Sequence, residues 1–465
     1  MMYQSKIMNP LTGSLKFLAT TLLNSITALL FFLIVAHFSS PSFVGKVTII
    51  QLIETITGSF FALLPLNLVT RDVSHKYASS QDHKKVVSTS LSYSLLVSPF
   101  LLFLFLFPSY VWLSIPYFVL YLFFTYQSRI LSGLGKFSET NLGNVIFTVT
   151  RWGISSVAVF YHSISLLILI WTLGALVKVI YYNHYLPFKF HFDFQVAKEI
   201  VKIGFPIYLS GIVTFISGQG DRVVTAFLLG SYSLGIYQLV ALISVVPNML
   251  IGSVASALLP SSTYYYTKGI EMREMASSTF RLLTFLSLLL GVSSYAIAPY
   301  LVLKLFPEYS PGVEVLKILV LFITVTMPFQ ILSTFLIALN KNYRPFLVIG
   351  SVSAIEVVLV SFLLIPQMGI LGAGIAQAGN AIITSVLYVI FSLQQGIITL
   401  DRKTIYSMLL ISLSLISLFS WVIGALVIIL GLKFLGIVTN KEIALIQRFI
   451  PPQLRFFMKI LNLFT

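Results

Sequence analysis

Seven charged side chains fall inside or at the margins of long apolar runs, where even lenient insertion scales set a charge at a helix centre at about 2.5–3.5 kcal/mol. Arg151 stands ten residues into such a run, about 15 Å deep at 1.5 Å per residue. Glu54 and Glu356 sit at similar depth in two others. Asp221 and Arg222 lie roughly 12 Å from one end of a fourth run, and Lys178 about as far from the end of a fifth. Arg71, with Asp72 and Lys76, marks the end of the Glu54 run. A guanidinium matches phosphate oxygens bidentately, so Arg151 and Arg222 suit a phosphate-bearing substrate, and Arg71 suits an entrance that collects one. The carboxylates suit a coupling cation or proton. Each also has a purely structural reading. Arg151 pairs with Glu54, Asp221 neutralises Arg222, Lys178 snorkels to the membrane surface, and Arg71 anchors a basic loop. Adjacent helical residues diverge by about 100°, so Asp221 and Arg222 each seek a further partner.

These charges need elements that carry them across a bilayer. Of 465 residues, 57% are hydrophobic and only 9% charged, against about 25% charged in a soluble protein. An all-α polytopic membrane protein follows. Apolar runs between charged or Pro/Gly-containing breaks fall at 17–38, 44–68, 86–107, 110–127, 141–161, 164–186, 204–230, 235–260, 280–303, 313–339, 345–365, 370–393, 404–418 and 420–436. That predicts about 14 transmembrane helices. The pair at 404–436 is set apart only by a turn at Ser417–Ser420. Prolines 65, 99, 206, 247 and 328 mark places where helices can bend. After Gly436, the tail to 465 reads as an interfacial amphipathic helix broken at Pro451-Pro452.

The net charge of +15 is explained by topology. With the N-terminus inside and fourteen spans, 22 of the 29 Lys and Arg fall in cytoplasmic segments, three on the outer side and four within spans. This places both termini in the cytoplasm of a multi-pass cytoplasmic-membrane protein and removes nucleic acid as a partner. Cysteine is absent, and there is no His-x-x-x-His pair, phosphate-binding Gly-rich loop or Asp-x-Asp motif. No cofactor is expected, nor a metal site, and ATP-driven transport and metal-dependent glycosyl transfer are disfavoured.

An internal repeat organises the chain. Ala36-His-Phe-Ser-Ser-Pro-Ser-Phe-Val-Gly45 aligns with Ala226-Phe-Leu-Leu-Gly-Ser-Tyr-Ser-Leu-Gly235, six spans apart. An even separation gives two halves of the same orientation, related by an axis along the membrane normal.

The run Lys202-Ile-Gly-Phe-Pro206-Ile-Tyr-Leu-Ser-Gly211, followed by Asp221-Arg222 and Leu229-Gly-Ser-Tyr-Ser-Leu-Gly-Ile-Tyr237, resembles spans 7 and 8 of the polysaccharide-biosynthesis (Wzx-type) flippases of the MATE/MOP superfamily. Leu131-Ser-Gly-Leu-Gly-Lys-Phe137, Ala338-Leu-Asn-Lys341, Ile365-Pro-Gln-Met-Gly-Ile-Leu-Gly-Ala-Gly374 and Gly436-Ile-Val-Thr-Asn-Lys-Glu442 resemble the same family in order along the chain. The resemblance implies two six-helix lobes, 1–198 and 199–400, facing a central cavity, with spans 13–14 at 401–436 peripheral and a cytoplasmic tail at 437–465. It implies flipping of a polyprenyl-phosphate-linked glycan, with membrane lipid, glycosyltransferases of the same pathway and an ion gradient as partners. Two rivals stand beside it: a MATE-type drug/cation antiporter relying on Glu54, Asp221 and Glu356, and a membrane glycosyltransferase or polymerase, which the short outer loops oppose.

Overall fold

A computed structural model describes residues 10–267, 272–339 and 344–436. The amphipathic tail expected at 437–465 lies outside the described residues, as does Lys341. The described chain runs through α1 (Pro10–Phe38), α2 (Pro41–Phe60), α3 (Leu66–Ala78), α4 (Lys84–Leu96), α5 (Ser109–Trp112), α6 (Ile115–Gly133), α7 (Phe137–Thr148), α8 (Val157–Phe160), α9 (Ile164–Tyr185), α10 (Phe194–Thr267), α11 (Met272–Leu305), α12 (Val313–Leu339), α13 (Arg344–Met368), α14 (Ile370–Gln394), α15 (Arg402–Ser414) and α16 (Trp421–Phe434). No strand occurs among the described residues. Helix is what lipid demands of so apolar a chain, because each backbone polar group must find its partner within the segment. The all-α expectation holds, and every one of the fourteen apolar runs carries helix.

Several runs are not simple rods. The run at 44–68 was expected as one span, but α2 ends at Phe60 and a new helix, α3, begins at Leu66. Pro65 supplies the reason. It lacks an N–H and drives Leu64 out of helical geometry. Tyrosines then take over the carbonyls that the break frees: Tyr208 donates to Phe60 at 3.0 Å, Tyr93 to Phe61 at 3.0 Å and Tyr126 to Leu64 at 2.9 Å. The run at 141–161 passes from α7 through a π-helical turn, Val149–Gly153, and a 3₁₀ turn into α8. The pair at 404–436 is two helices: a 3₁₀ turn, Leu415–Leu418, follows α15, and the Ser420 hydroxyl caps α16 by accepting the Ile423 N–H at 3.4 Å. At about 20 Å each they are shorter than a full span.

Tertiary contacts gather the chain into two compact units, Met1–Gln219 with Leu229–Gly235, and Gly220–Leu228 with Ile236–Thr465. The first packs α6 against α3, α4 and α9, and α7 against α1 and α9. Its core is aromatic, with Phe31, Tyr117, Phe118, Tyr126, Trp171 and Tyr182 all buried. In the second, α12 packs against α11 and α14, and α13 against α14. Buried small residues on α14, Gly372, Ala373, Gly374 and Ala376, let neighbouring backbones come close.

Gly230 interrupts α10 with φ 76° and ψ −173°, a backbone conformation open essentially to glycine alone. The turn it makes corresponds to the second copy of the repeat, and within the first unit the two copies interlock. The Cα of Gly45 lies against the Ser231 carbonyl, and the Cα of Gly235 against the Pro41 carbonyl. The Ser42 and Ser231 hydroxyls meet at 3.2 Å. Subtracting the repeat offset converts each glycine–carbonyl contact into the other.

Candidate functional site

In the first unit the structure brings Glu54 and Arg151 together. The π-helical turn after α7 aims Arg151 at α2, where Nη1 and Nη2 donate to the two carboxylate oxygens of Glu54 at 2.9 and 2.5 Å. Tyr117 on α6 donates to Glu54 Oε2 at 2.8 Å. The guanidinium lies 4.4 and 4.6 Å from the ring centroids of Trp152 and Trp171, a geometry that gains from cation–π attraction. Trp171 Nε1 donates to the Arg151 carbonyl at 2.9 Å and Trp152 Nε1 to Asn24 at 2.9 Å. The two ionic side chains are only 11% and 9% exposed. Such a pair needs its oxygens and protons filled to offset desolvation, and here nearly all are.

Lys178 belongs to the same interior and does not snorkel. It is 4% exposed, donates to Asn144 Oδ1 at 2.9 Å, and lies 4.0 Å from the Phe124 and 5.0 Å from the Phe147 ring centroid. Tyr182, which donates to the Thr140 carbonyl at 2.9 Å, closes the pocket. The amide oxygen and the aromatic faces provide inside what the membrane surface offers a snorkelling lysine. Arg71 is 61% exposed and bonds Asp72 through Nε and Nη2 at 3.0 and 2.9 Å. It sits on α3, beyond the break, rather than at the end of the Glu54 helix.

The second unit holds Asp221, Arg222 and Glu356. Asp221 is 1% exposed and accepts the phenolic proton of Tyr237. Its neighbour Arg222 is half-buried on α10. Glu356 on α13 faces α14 where Gly379 has no side chain: a Cβ there would stand 2.6 Å from Glu356 Oε1. Ser353, Thr384 and Asn380 form a hydrogen-bonded chain nearby, at 2.8 and 3.2 Å.

Sequence reasoning from charge missed one feature of the first unit. A cavity of about 580 Å³ is lined by Thr55, Ser59, Asn67, Ser210, Thr214 and Gln219, with glycine and apolar residues between them. It lies beside the α2–α3 break, and Thr55 adjoins Glu54 in the chain. Hydroxyls and amides without any charge are the donors and acceptors that sugars require. The signal was present as pairs at i,i+4, Thr55 with Ser59 and Ser210 with Thr214.

Residues 119–309 match the family model described as polysaccharide biosynthesis protein. The capsular polysaccharide biosynthesis protein CapF of Staphylococcus aureus is 25% identical over 249 residues, covering 50% of this chain and 61% of CapF. The uncharacterized membrane protein EpsK of Bacillus subtilis (strain 168) is 25% identical over 201 residues, 42% of this chain and 40% of its own. The chain therefore spans less than two thirds of either relative. Among solved structures, the lipid II flippase MurJ in its inward closed conformation superposes with a TM-score of 0.66 at 15% identity, covering 89% of this chain and 96% of MurJ. An inward-facing multidrug resistance MATE transporter of the MOP superfamily gives 0.62 at 14% identity, covering 80% and 94%. At such identities these two neighbours speak for the fold alone. The resemblance drawn from the sequence motifs is thus met on both sides, by a central segment that matches polysaccharide biosynthesis proteins and by a chain fold shared with MurJ and the MATE transporters of the MOP superfamily.

Proposed function

We propose that this protein flips a polyprenyl phosphate- or diphosphate-linked glycan across the cytoplasmic membrane by alternating access. The observation that carries the reading is the hydroxyl- and amide-lined cavity of about 580 Å³ set among apolar helices. Such a wall bonds sugar hydroxyls while the polyprenyl tail stays in lipid. In this reading the lobes are 1–198 and 199–400, with 401–436 peripheral and both termini cytoplasmic. The match to polysaccharide biosynthesis proteins supports the substrate class, and glycosyltransferases of the same pathway supply it. Arg222 and Arg71, the latter held by Asp72, are the guanidiniums we assign to the phosphates. Both Nη atoms of Arg151 are engaged by Glu54, so Arg151 meets a phosphate only when Glu54 lets go. A proton taken up by Glu54 at that moment neutralises the stranded carboxylate, which gives a route for coupling to an ion gradient.

The test is flux in proteoliposomes. Ser210→Leu with Thr214→Leu fills the cavity with apolar bulk. It is expected to reduce flipping of a fluorescent lipid-linked oligosaccharide at least tenfold while the protein stays monodisperse. Undiminished glycan flux in that variant refutes the cavity's role. Export of a fluorescent organic cation by the native chain, with no glycan movement, replaces the flippase by the antiporter.

A further inference from the structure

A second cavity in the first unit, of about 630 Å³, has a different character. Its polar wall is basic: His83, Lys84 and Lys85 from the start of α4, Lys136 from the α6–α7 turn, and Lys189 and His191 from the link between α9 and α10. No carboxylate lines it. The nearby acids, Asp82 and Asp193, are outnumbered by the four lysines and engage backbone amides, although Asp193 also lies within electrostatic reach of Lys85 and His191. Asp82 accepts the Lys84 backbone N–H at 3.0 Å, and Asp193 accepts the Gln195 and Val196 N–H groups at 2.9 and 3.2 Å, capping α10. Those two amides hold the Asp193 carboxyl below its ordinary range, so the cap stays ionised at neutral pH.

The wall is also built rather than incidental. Lys136 Nζ donates to the Tyr185 carbonyl at 3.1 Å, tying the α6–α7 turn to the end of α9. The His191 N–H donates to the Ser92 hydroxyl at 2.9 Å and the Asp193 N–H to Thr89 at 3.2 Å, pinning the link against α4. Below the lysines the floor is apolar, made by Val87, Leu91, Leu134 and Leu186. Tyr77 and Tyr185 stand at its rim, as aromatic residues do at the membrane interface.

Lysines in excess of the neighbouring carboxylates, over an apolar floor at the ends of membrane helices, describe a site for an anionic headgroup whose chains continue into lipid. We propose that this cavity binds a phosphate-bearing anion at the membrane interface, either the headgroup of an anionic lipid or a soluble phosphate. None of its lining residues belongs to the Glu54–Arg151 cluster or to the hydroxyl-lined cavity, so the inference stands apart from the flippase reading.

The experiment is thermal unfolding of the purified full-length protein in detergent. Phosphatidylglycerol, phosphatidylcholine or inorganic pyrophosphate is titrated at constant ionic strength. Phosphatidylglycerol is expected to stabilise the protein where phosphatidylcholine does not. Lys85→Gln with Lys189→Gln is expected to weaken the response about thirty-fold, from about fivefold per lysine near a charged surface. Lys85→Arg with Lys189→Arg retains it. A response to phosphatidylglycerol alone identifies a lipid site, and an equal response to pyrophosphate identifies recognition of soluble phosphate. Arg402→Gln with Lys403→Gln, which removes two charges at the start of α15, is the control. Equal stabilisation by phosphatidylcholine, an unchanged response in the Gln pair, or an equal loss in the control overturns the proposal. Should the Gln pair fail to fold, Lys189→Gln alone, on the exposed link, is scored by the same criteria.

Discussion

The Glu54–Arg151 pair makes the sharpest quantitative prediction. Two charge-assisted hydrogen bonds at 2.9 and 2.5 Å, a third from Tyr117 at 2.8 Å, and side chains about a tenth exposed describe an ion pair removed from solvent. Glu54→Leu leaves the guanidinium charged between two indoles with no carboxylate. Breaking a buried pair from one side costs about 3–5 kcal/mol. Arg151→Met costs less, because the stranded carboxyl can take a proton, whereas a guanidinium cannot lose one. The double variant Glu54→Leu with Arg151→Met removes both charges, and apolar replacements of that kind are neutral or stabilising. Its cost should therefore fall short of the sum of the single losses by at least ~2 kcal/mol, beyond the ~0.5 kcal/mol scatter of independent sites. Unfolding in detergent, followed by tryptophan fluorescence, suits the measurement because Trp152 and Trp171 flank the guanidinium. Single variants within ~1 kcal/mol of wild type, or a strictly additive double variant, would refute the assignment of this pair as an interior clamp.

Two further perturbations follow from the packing. Gly45→Ala and Gly235→Ala each drive a methyl into a carbonyl oxygen, of Ser231 and of Pro41, and overpacking of this kind costs ~1–3 kcal/mol. Gly211→Ala, where a Cβ meets nothing within 4 Å, serves as the neutral comparison in the same unfolding assay, and equal behaviour of all three would sink the interlock. Lys178→Met keeps the aliphatic stem between Phe124 and Phe147 while removing a buried charge that bonds only an amide oxygen. It is expected to unfold at or above the wild-type temperature, and a clear loss of stability would show that the ammonium is itself a structural contact.

Helix positions were legible because apolar runs alternate with charged breaks, and depth counted along those runs put Glu54 and Arg151 at matching levels. Hydropathy did not show the break between α2 and α3, since leucines lie on both sides of it. Pro65 was its only mark, and the break is completed by tyrosines 32, 62 and 148 residues further along the chain from the carbonyls they bond. Lys178 was misjudged for the same reason. Its partners, Asn144 and Phe124, come from α7 and α6, and only the packed unit brings them to it. The hydroxyl-lined cavity escaped because serine and threonine are common in membrane helices, where they bond their own backbone. Thr55 and Thr214 do so here, donating to the Gln51 and Ser210 carbonyls at 2.9 and 2.8 Å. What distinguishes them is two such pairs facing one space, a property of the assembled helices.

The repeat and the charges together separate scaffold from chemistry. At the turns of the repeat the two copies are near-equivalent, since Gly45 and Gly235 make reciprocal contacts with the carbonyls of Ser231 and Pro41. Farther along, the equivalence ends. The position that corresponds to Glu54 in the second copy is Ser244, which is buried and donates to the Ala241 carbonyl at 2.7 Å. The second half instead places its acids at Asp221, against Tyr237, and at Glu356, opposite Gly379. Backbone symmetry is maintained where helices must interlock, because a methyl group there is intolerable on either side. Charge follows no such rule, since the Glu54–Arg151 pair stabilises one interior and has no counterpart at Ser244 in the other. On the proposed flippase reading, Glu54→Gln and Asp221→Asn should change glycan flux in proteoliposomes differently, and identical flux profiles for the two variants would refute this.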